Sequence, residues 1–365
     1  MAKLPAVNPS ALRDEFPVLS KLAYFNAGTD GPLPAAAVRA SATELHREAE
    51  TGRSQQHFER RTELNGALRI AYASILGCAA EDIALTTCTS EGISLVLGGM
   101  QLGPDDEILT SDEEHPGLLG ALAAARDSSG CAIRMSPLAE LAASVRPCTR
   151  LVACSHVGWM SGSLAPADLA ALDIPVLLDG AQGVGAIPVD VLALGCAAYA
   201  GAGQKWLCGP DGTGMLYVSP AFRERLAVNR RGYANLADPV TGLEAQVHED
   251  ARRFDALALS AEALACALAA LEVLDAAGWP AIHERSRQLA ELLAERLRAQ
   301  GREVAPRAQS TLVSFASSDP MAERGRLAEQ GVLLRDIPDR PWLRASVGAW
   351  NDERDIERLL AALDR

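Results

Sequence analysis

The chain has 365 residues, 48% of them hydrophobic and 22% charged, a composition typical of a globular protein with room for one large domain and an appendage. Its formal net charge of −13 speaks against a nucleic-acid groove or an anionic membrane surface as partner, and no apolar run is long enough to span a bilayer. Eight cysteines without C-x-x-C spacing read as reduced, packed thiols with neither a disulfide framework nor a metal site, and the opening MAKLPAVNPSALRDEF lacks the apolar core of a secretory signal, so the cytoplasm is the expected location.

In chain order, a short helix is expected over 9–16, with Asn8 as its cap, Ser10 as the alternative cap and Pro9 at the first helical position. Turn-forming residues fill 26–34, Asn-Ala-Gly-Thr-Asp-Gly-Pro-Leu-Pro, a loop suited to passing close to a ligand. Amphipathic helices over 35–50 and 60–76 precede a buried strand at 83–87, which runs into Cys88-Thr89-Ser90-Glu91-Gly92 and a helix over 93–99. Hydroxyls at a helix start are ordinary N-caps, but beside free N–H groups and the positive end of the helix dipole they also make a phosphate site. A strand at 107–110 leads to Glu114-His115-Pro116 and another helix. A lone histidine there is most often a satisfied structural residue. A weak strand at 132–135, a short helix at 137–144 and a strong strand at 151–157 follow, the last ending in Gly158-Trp159-Met160. Trp159 reads as a core plug or as a pocket wall.

The stretch 176–218 carries the chemistry. The apolar run Val176-Leu177-Leu178 delivers Asp179, a small-residue run over 197–203 delivers Lys205, and a third strand at 215–218 closes the unit. An acid and a lysine at strand ends sit where open parallel sheets hold their ligands. Pyridoxal phosphate (PLP) catalysis needs that pair, the lysine for a Schiff base and the acid to keep the ring nitrogen protonated. A nicotinamide-binding reading of Gly201-Ala202-Gly203 fails at the third glycine of G-x-G-x-x-G, which is Trp206, and leaves the lysine without a task. After an irregular, charged stretch at 229–253 come long helices at 261–276 and 280–300. Strands at 311–316, 332–334 and 343–347 then alternate with helices at 321–330 and 352–363, a small α+β unit.

Asp179-Gly-Ala-Gln182, followed by Gly203-Gln204-Lys205-Trp206 and Gly209-Pro210-Asp211-Gly212-Thr213-Gly214, resembles the class V aminotransferase and cysteine desulfurase family of fold-type I PLP enzymes, which includes isopenicillin N epimerase-like and selenocysteine lyase-like members. The likeness runs from about residue 24 to the last helix. It implies an α/β fold: a large domain with a mostly parallel seven-stranded sheet flanked by helices, plus a smaller C-terminal α+β domain. The expected division is an N-terminal arm at 1–20, a PLP-binding domain at 21–252 and a small domain at 253–365. The resemblance implies Lys205 as the Schiff-base lysine, Asp179 as the pyridinium partner, Gln182 on a cofactor oxygen and His115 stacked on the ring. Thr89, Ser90 and Gln204 are implied as phosphate ligands, the last where desulfurases usually have a histidine. On the substrate side it implies Asn26, Gly28, Thr29 and Trp159, with Arg344 of Leu343-Arg344-Ala345-Ser346 as the carboxylate clamp and Arg335 as a second arginine. Many desulfurases have an asparagine in place of Trp159.

A homodimer is implied as well, with 229–253 reaching across it, although the threonine that reaches a neighbour's phosphate is missing from Leu257-Ala258-Leu259-Ser260. The expected activity is chemistry at the α-carbon of an amino acid, of aminotransferase or epimerase type. A carbon–sulfur lyase is the alternative, without a persulfide cysteine because the loop 336–342 contains none. A scaffold that has lost catalysis would need none of Asp179, Lys205 and Arg344.

Overall fold

The computed structural model describes residues 9–364. Its strands are β1 (Ala23–Tyr24), β2 (Ile83–Thr86), β3 (Glu107–Ser111), β4 (Ala132–Ser136), β5 (Thr149–Ser155), β6 (Val176–Asp179), β7 (Ala198–Ala202), β8 (Gly214–Val218), β9 (Leu312–Ala316), β10 (Val332–Leu333), β11 (Arg335–Asp336) and β12 (Trp342–Ser346). Its α-helices are α1 (Pro9–Asp14), α2 (Ala35–Thr51), α3 (Gln55–Leu76), α4 (Thr89–Gly99), α5 (Pro116–Ser129), α6 (Pro220–Arg223), α7 (Ala261–Ala277), α8 (Trp279–Ala299), α9 (Pro320–Glu329) and α10 (Glu353–Leu363).

Seven strands form one sheet in the order β2-β8-β7-β6-β5-β3-β4. It is parallel except at β8, which runs antiparallel to both β2 and β7. Alternation along β6 shows how the sheet is covered on both sides. Val176 and Leu178 enter the core beneath α3 and α7, with Leu64, Leu68 and Leu264, while Leu177 enters the core beneath α4 and α5, with Ile93, Val96 and Leu118. Because the strands run parallel, β5, β6 and β7 all open at the same edge, and that edge carries Asp179 and leads into Lys205.

The smaller unit has an antiparallel sheet in the order β11-β12-β9 and a parallel pair of β1 with β10. Leu289, Leu293 and Leu297 of α8, Phe315 of β9, Leu343 of β12 and Ile356 and Leu359 of α10 fill its core, together with Ala23 and Phe25 from the N-terminal segment. Residues 256–271, by contrast, pack into the large core, and α7 lies along α2 and α3. On packing, we place the division near Gly278, between α7 and α8, instead of at 253, and assign 23–25 to the small unit. Phe16, Trp206, Leu274, Ile282, Leu312 and Trp350 form the apolar seam between the two units.

Several local expectations change. The helix expected from 60 begins at Gln55, five residues earlier, because its first turns are good helix formers that lie outside the apolar stripe. The helix expected from 93 begins at Thr89, so Thr89 and Ser90 occupy its first turn and Cys88 the cap position. The Glu91 carboxylate accepts the Thr87 N–H at 2.6 Å and the Thr87 hydroxyl at 2.9 Å, anchoring that earlier start. The helix expected at 137–144 is two short 3-10 turns, Leu138–Glu140 and Ala142–Ser144. Asn8 lies outside the described residues.

The edge of the large sheet is closed by one buried ion pair. Arg69 of α3 donates to both carboxylate oxygens of Asp255, at 3.0 and 2.8 Å, and to the carbonyl of Ile83, while the Leu85 N–H donates to the same carboxylate at 2.9 Å. Asp255→Ala strands that guanidinium; a loss of about 3–5 kcal/mol is expected in urea unfolding. A second prediction concerns pH. Burial pushes His156, 5% exposed, down to about 4, below the value of about 6.5 for an unfolded histidine. The stabilising effect of its neutral form is complete above about pH 6.5 and disappears as pH falls toward the folded value, at about 1.4 kcal/mol per unit. Urea midpoints measured from pH 7 to 4 should fall less steeply for His156→Asn than for the parent chain.

Candidate active site

Asp179 ends β6 and is 6% exposed. One of its oxygens accepts the Ala181 N–H at 2.9 Å. Burial raises its carboxyl above the ordinary value, opposed first by the charge of Lys205 and then by that N–H. The turn that follows needs its glycines: a Cβ on Gly180 would run into the Tyr199 ring, and one on Gly183 into Tyr199 and His156. His156 Nδ1 and the Tyr199 hydroxyl lie 3.1 Å apart, so this buried pair backs the turn that carries Asp179 and Gln182.

Lys205 lies in the loop after β7. The Gly203 N–H donates to the Thr213 carbonyl and the Gly209 N–H to the Gly203 carbonyl, which fold that loop back on itself, and Cys208 takes a left-handed φ of 55° to close it. Burial pulls the Lys205 ammonium down to about 8. Asp179 opposes that shift, and the guanidinium of Arg344 adds to it. The acid and the lysine therefore occupy one electrostatic site.

Around them stand the phosphate candidates. Thr89 and Ser90 lie in the first turn of α4, where backbone N–H groups point outward, and the Thr89 hydroxyl is buried without a partner. Gln204 has its side-chain oxygen buried without a partner. A Cβ on Gly117 would come within 2.7 Å of the Ser90 hydroxyl and 3.1 Å of His115 Nδ1, so only a bare backbone leaves this cradle open. Orphaned donors and acceptors of this kind suit a group with many oxygens.

His115 caps α5, its Nδ1 accepting the Gly117 N–H at 3.0 Å. That bond puts the proton of the neutral ring on Nε2. Burial lowers the imidazole to about 4, and the charges of Lys205, Arg335 and Arg344 add to the effect, so it is uncharged at neutral pH. Its ring meets Trp159 edge to face, with centroids 5.0 Å apart.

The small unit supplies the opposite wall. Arg344 on β12 is 1% exposed and donates to the Trp159 carbonyl at 2.7 Å, while its Nε and second terminal nitrogen are buried without partners. Burial lowers it to about 9. Arg335 on β11 faces it in register. The loop 26–31 is fastened over the cleft: Asn26 bridges to Ser346, the Gly31 N–H donates to the Gln204 carbonyl, and Gln182 donates to the Gly28 carbonyl at 2.7 Å. The Gln182 oxygen accepts the Trp206 indole N–H at 3.0 Å, which leaves one amide N–H for a ligand. The Thr29 and Ser346 hydroxyls are both buried without partners.

The sequence reading overlooked some of these groups. Glu114, beside His115, is 4% exposed and accepts the Ser111 hydroxyl, the Ser155 N–H at 3.0 Å and the Ser155 hydroxyl at 2.6 Å, tying the ends of β3 and β5 together beneath the site. Burial lifts it to about 7. Its place in Glu114-His115 was the available signal. Ser346, two residues beyond Arg344, was marked only by its neighbour.

Comparison with known proteins bears on the family and the fold. The chain is 28% identical over 383 residues to the isopenicillin N epimerase of Streptomyces clavuligerus, covering 93% of each, and 31% identical over 407 residues to a probable cysteine desulfurase of Pseudomonas aeruginosa, covering 98% of each. Among solved structures it matches C-DES at 31% identity. A C-DES mutant with glycine linked to its PLP cofactor gives a TM-score of 0.91, covering 96% of this chain and 98% of that one. C-DES as a cystine C-S lyase bound to its product cysteine persulfide gives 0.90, covering 95% and 98%. The fold is that of the fold-type I PLP enzymes, and the cofactor is pyridoxal 5′-phosphate. With residues 23–359 matching the model of the class-V aminotransferases, the chain belongs to that enzyme family.

Proposed function

We propose that the enzyme acts at the α-carbon of an amino acid, by aminotransferase or epimerase chemistry, with Lys205 as the base that moves the α-proton. The observation that carries this reading is a lysine held near neutrality by burial, facing a buried carboxylate and an unpaired buried guanidinium. PLP supplies a ring that withdraws electrons from the α-carbon. Thr89, Ser90 and Gln204 are the groups suited to its phosphate, and Asp179, a buried carboxylate relieved by a nearby cation and one backbone N–H, is suited to its ring N–H. His115 covers a face as a neutral ring. Arg344 fixes the α-carboxylate, leaving the α-proton to the Lys205 Nζ.

A carbon–sulfur lyase is the second reading, favoured by the likeness to C-DES; the 336–342 loop without cysteine would leave it no persulfide-carrying thiol there. Cys208, close to Lys205 in sequence, is fully buried, and burial drives its thiol well above the ordinary value, so it is no substitute nucleophile. We also propose a cytoplasmic homodimer. No helix among the described residues is long and apolar enough to cross a membrane. Phe58, Ile70 and Tyr233 line an open groove, and Tyr233, Val240 and Leu243 are 64%, 91% and 101% exposed, an apolar surface suited to a second copy.

Two predictions follow from the site. Borohydride treatment of the purified yellow enzyme should fix the cofactor to the peptide containing Lys205, and Lys205→Ala should lose both the labelling and about 10²- to 10⁴-fold or more in turnover; full turnover in that variant would remove the proposed base. In Gly28→Ala the new methyl would lie 2.6 Å from the Ser346 hydroxyl and 2.9 Å from both Arg344 and the Gln182 oxygen. About a tenfold to hundredfold drop in kcat/KM is expected, with the cofactor's absorbance retained.

A further inference from the structure

We propose that Arg335 and Arg344 together form a site for two anions, so that the preferred substrate is an amino acid bearing a second acidic group, carboxylate or sulfinate, on its side chain. This rests on the reading above that the enzyme binds an amino acid in this cleft, and it names the class of that substrate.

Arg335 and Arg344 are directly opposed across the antiparallel pair of β11 and β12, so their side chains leave the same face of the sheet. Like charges in that position repel, and here one of them is 1% exposed. Elsewhere the chain gives its enclosed arginines a carboxylate: Arg69 has Asp255, Arg223 has Asp82 and Arg307 has Glu291. Among the described residues, neither arginine of this pair has one. Arg344 spends one nitrogen on the Trp159 carbonyl and leaves two buried nitrogens unpartnered, and the Arg335 side chain makes no hydrogen bond or ion pair among the described residues.

What they share is Trp159. The guanidinium carbon of Arg335 lies 5.8 Å from the indole centroid and that of Arg344 5.9 Å, so a single aromatic ring serves both cations. A ring quadrupole softens two positive charges without neutralising either. Asp30 is the acid whose field reaches Arg335, but it is exposed and also feels Asp211. One α-carboxylate can take the free fork of Arg344 with two parallel bonds, and Arg335 then still faces the cleft with its charge unmatched. A substrate with a second oxyanion satisfies both. The same geometry gives the indole at 159 a task, as the plate that holds two guanidinium groups at a fixed separation.

The test compares kcat/KM of the holoenzyme for aspartate, glutamate and cysteine sulfinate with that for asparagine, glutamine and alanine. Acidic substrates should lead their neutral counterparts by about tenfold to hundredfold, the worth of one charge-assisted pair. Arg335→Met should collapse that ratio, while Arg335→Lys should retain part of it. A ratio of one or below in the parent enzyme overturns the proposal. A binding arm needs no turnover: succinate and glutarate should raise the melting temperature more than propionate and butyrate do, and Arg335→Met should erase the difference. Equal shifts from mono- and dicarboxylates in the parent enzyme overturn the two-anion site even where no turnover is found. If Lys205 takes no label but the dicarboxylate effect stands, the α-carbon reading falls and the anion site survives.

Discussion

Everything in this cleft depends on keeping cations out of water without full compensation inside the chain. The charges of Arg335, Arg344, Asp30 and the buried carboxylate of Asp179 all act on Lys205. Burial depresses Lys205 and Arg344, to about 8 and about 9; the charge of Arg335 adds to both shifts and that of Arg344 to the first. A folded chain tolerates that only if the surrounding packing makes up the loss. The seam of Phe16, Trp206, Leu274, Leu312 and Trp350 is where it does so, because it clamps the small unit onto the large one and holds Arg344 against Trp159.

The sheet turns this constraint into a site. Parallel β5, β6 and β7 expose their carboxyl ends side by side, so residues far apart in sequence, Glu114, Asp179 and Lys205, meet at one edge. The antiparallel β8 then sends the chain back across the sheet, and its pairing with β7 fixes where the lysine loop must turn. Small residues matter here for access: with Ala198 and Ala200 on the face of β7 toward α4, that helix approaches closely, and a Cβ on Gly92 would already touch Ala200 at 3.1 Å. The first turn of α4 is thereby brought to the same edge as Asp179.

Much of this was legible in the sequence because it is local. An apolar strand ending in Asp179 and a glycine-rich turn around Lys205 announce themselves within a few residues, and Arg344 stands out as a charge between Leu343 and Ala345. The early start of α4 at Thr89 escaped notice because it depends on the Glu91 side chain bonding backward to Thr87, which no apolar period reports. The role of Glu114 depends on Ser155, and that of Ser346 on Gly28, partners that lie far away along the chain. The packing of α7 with the large core is likewise invisible to composition, since α7 and α8 share the same Ala- and Leu-rich character.

The state of His115 narrows the chemistry by its own logic. Its Nδ1 lone pair is occupied by the Gly117 N–H, its Nε2 already carries the proton, and burial with three nearby cations holds its pKa at about 4. A ring in that condition offers no free lone pair to a substrate proton. It can donate from Nε2 or present a flat neutral face, but it is not a second base opposite Lys205. Under the proposed function, proton traffic at the α-carbon therefore falls to the Lys205 Nζ, an amine that burial brings down to about 8. Chemistry that takes a proton from the α-carbon and delivers it to a different atom on the same side, or that expels a substituent instead, needs only that group. Inversion, the epimerase branch of the proposed function, would need a second proton-transfer group on the far face, which the aromatic pair of His115 and Trp159 does not supply, so this geometry favours the aminotransferase branch of that proposal.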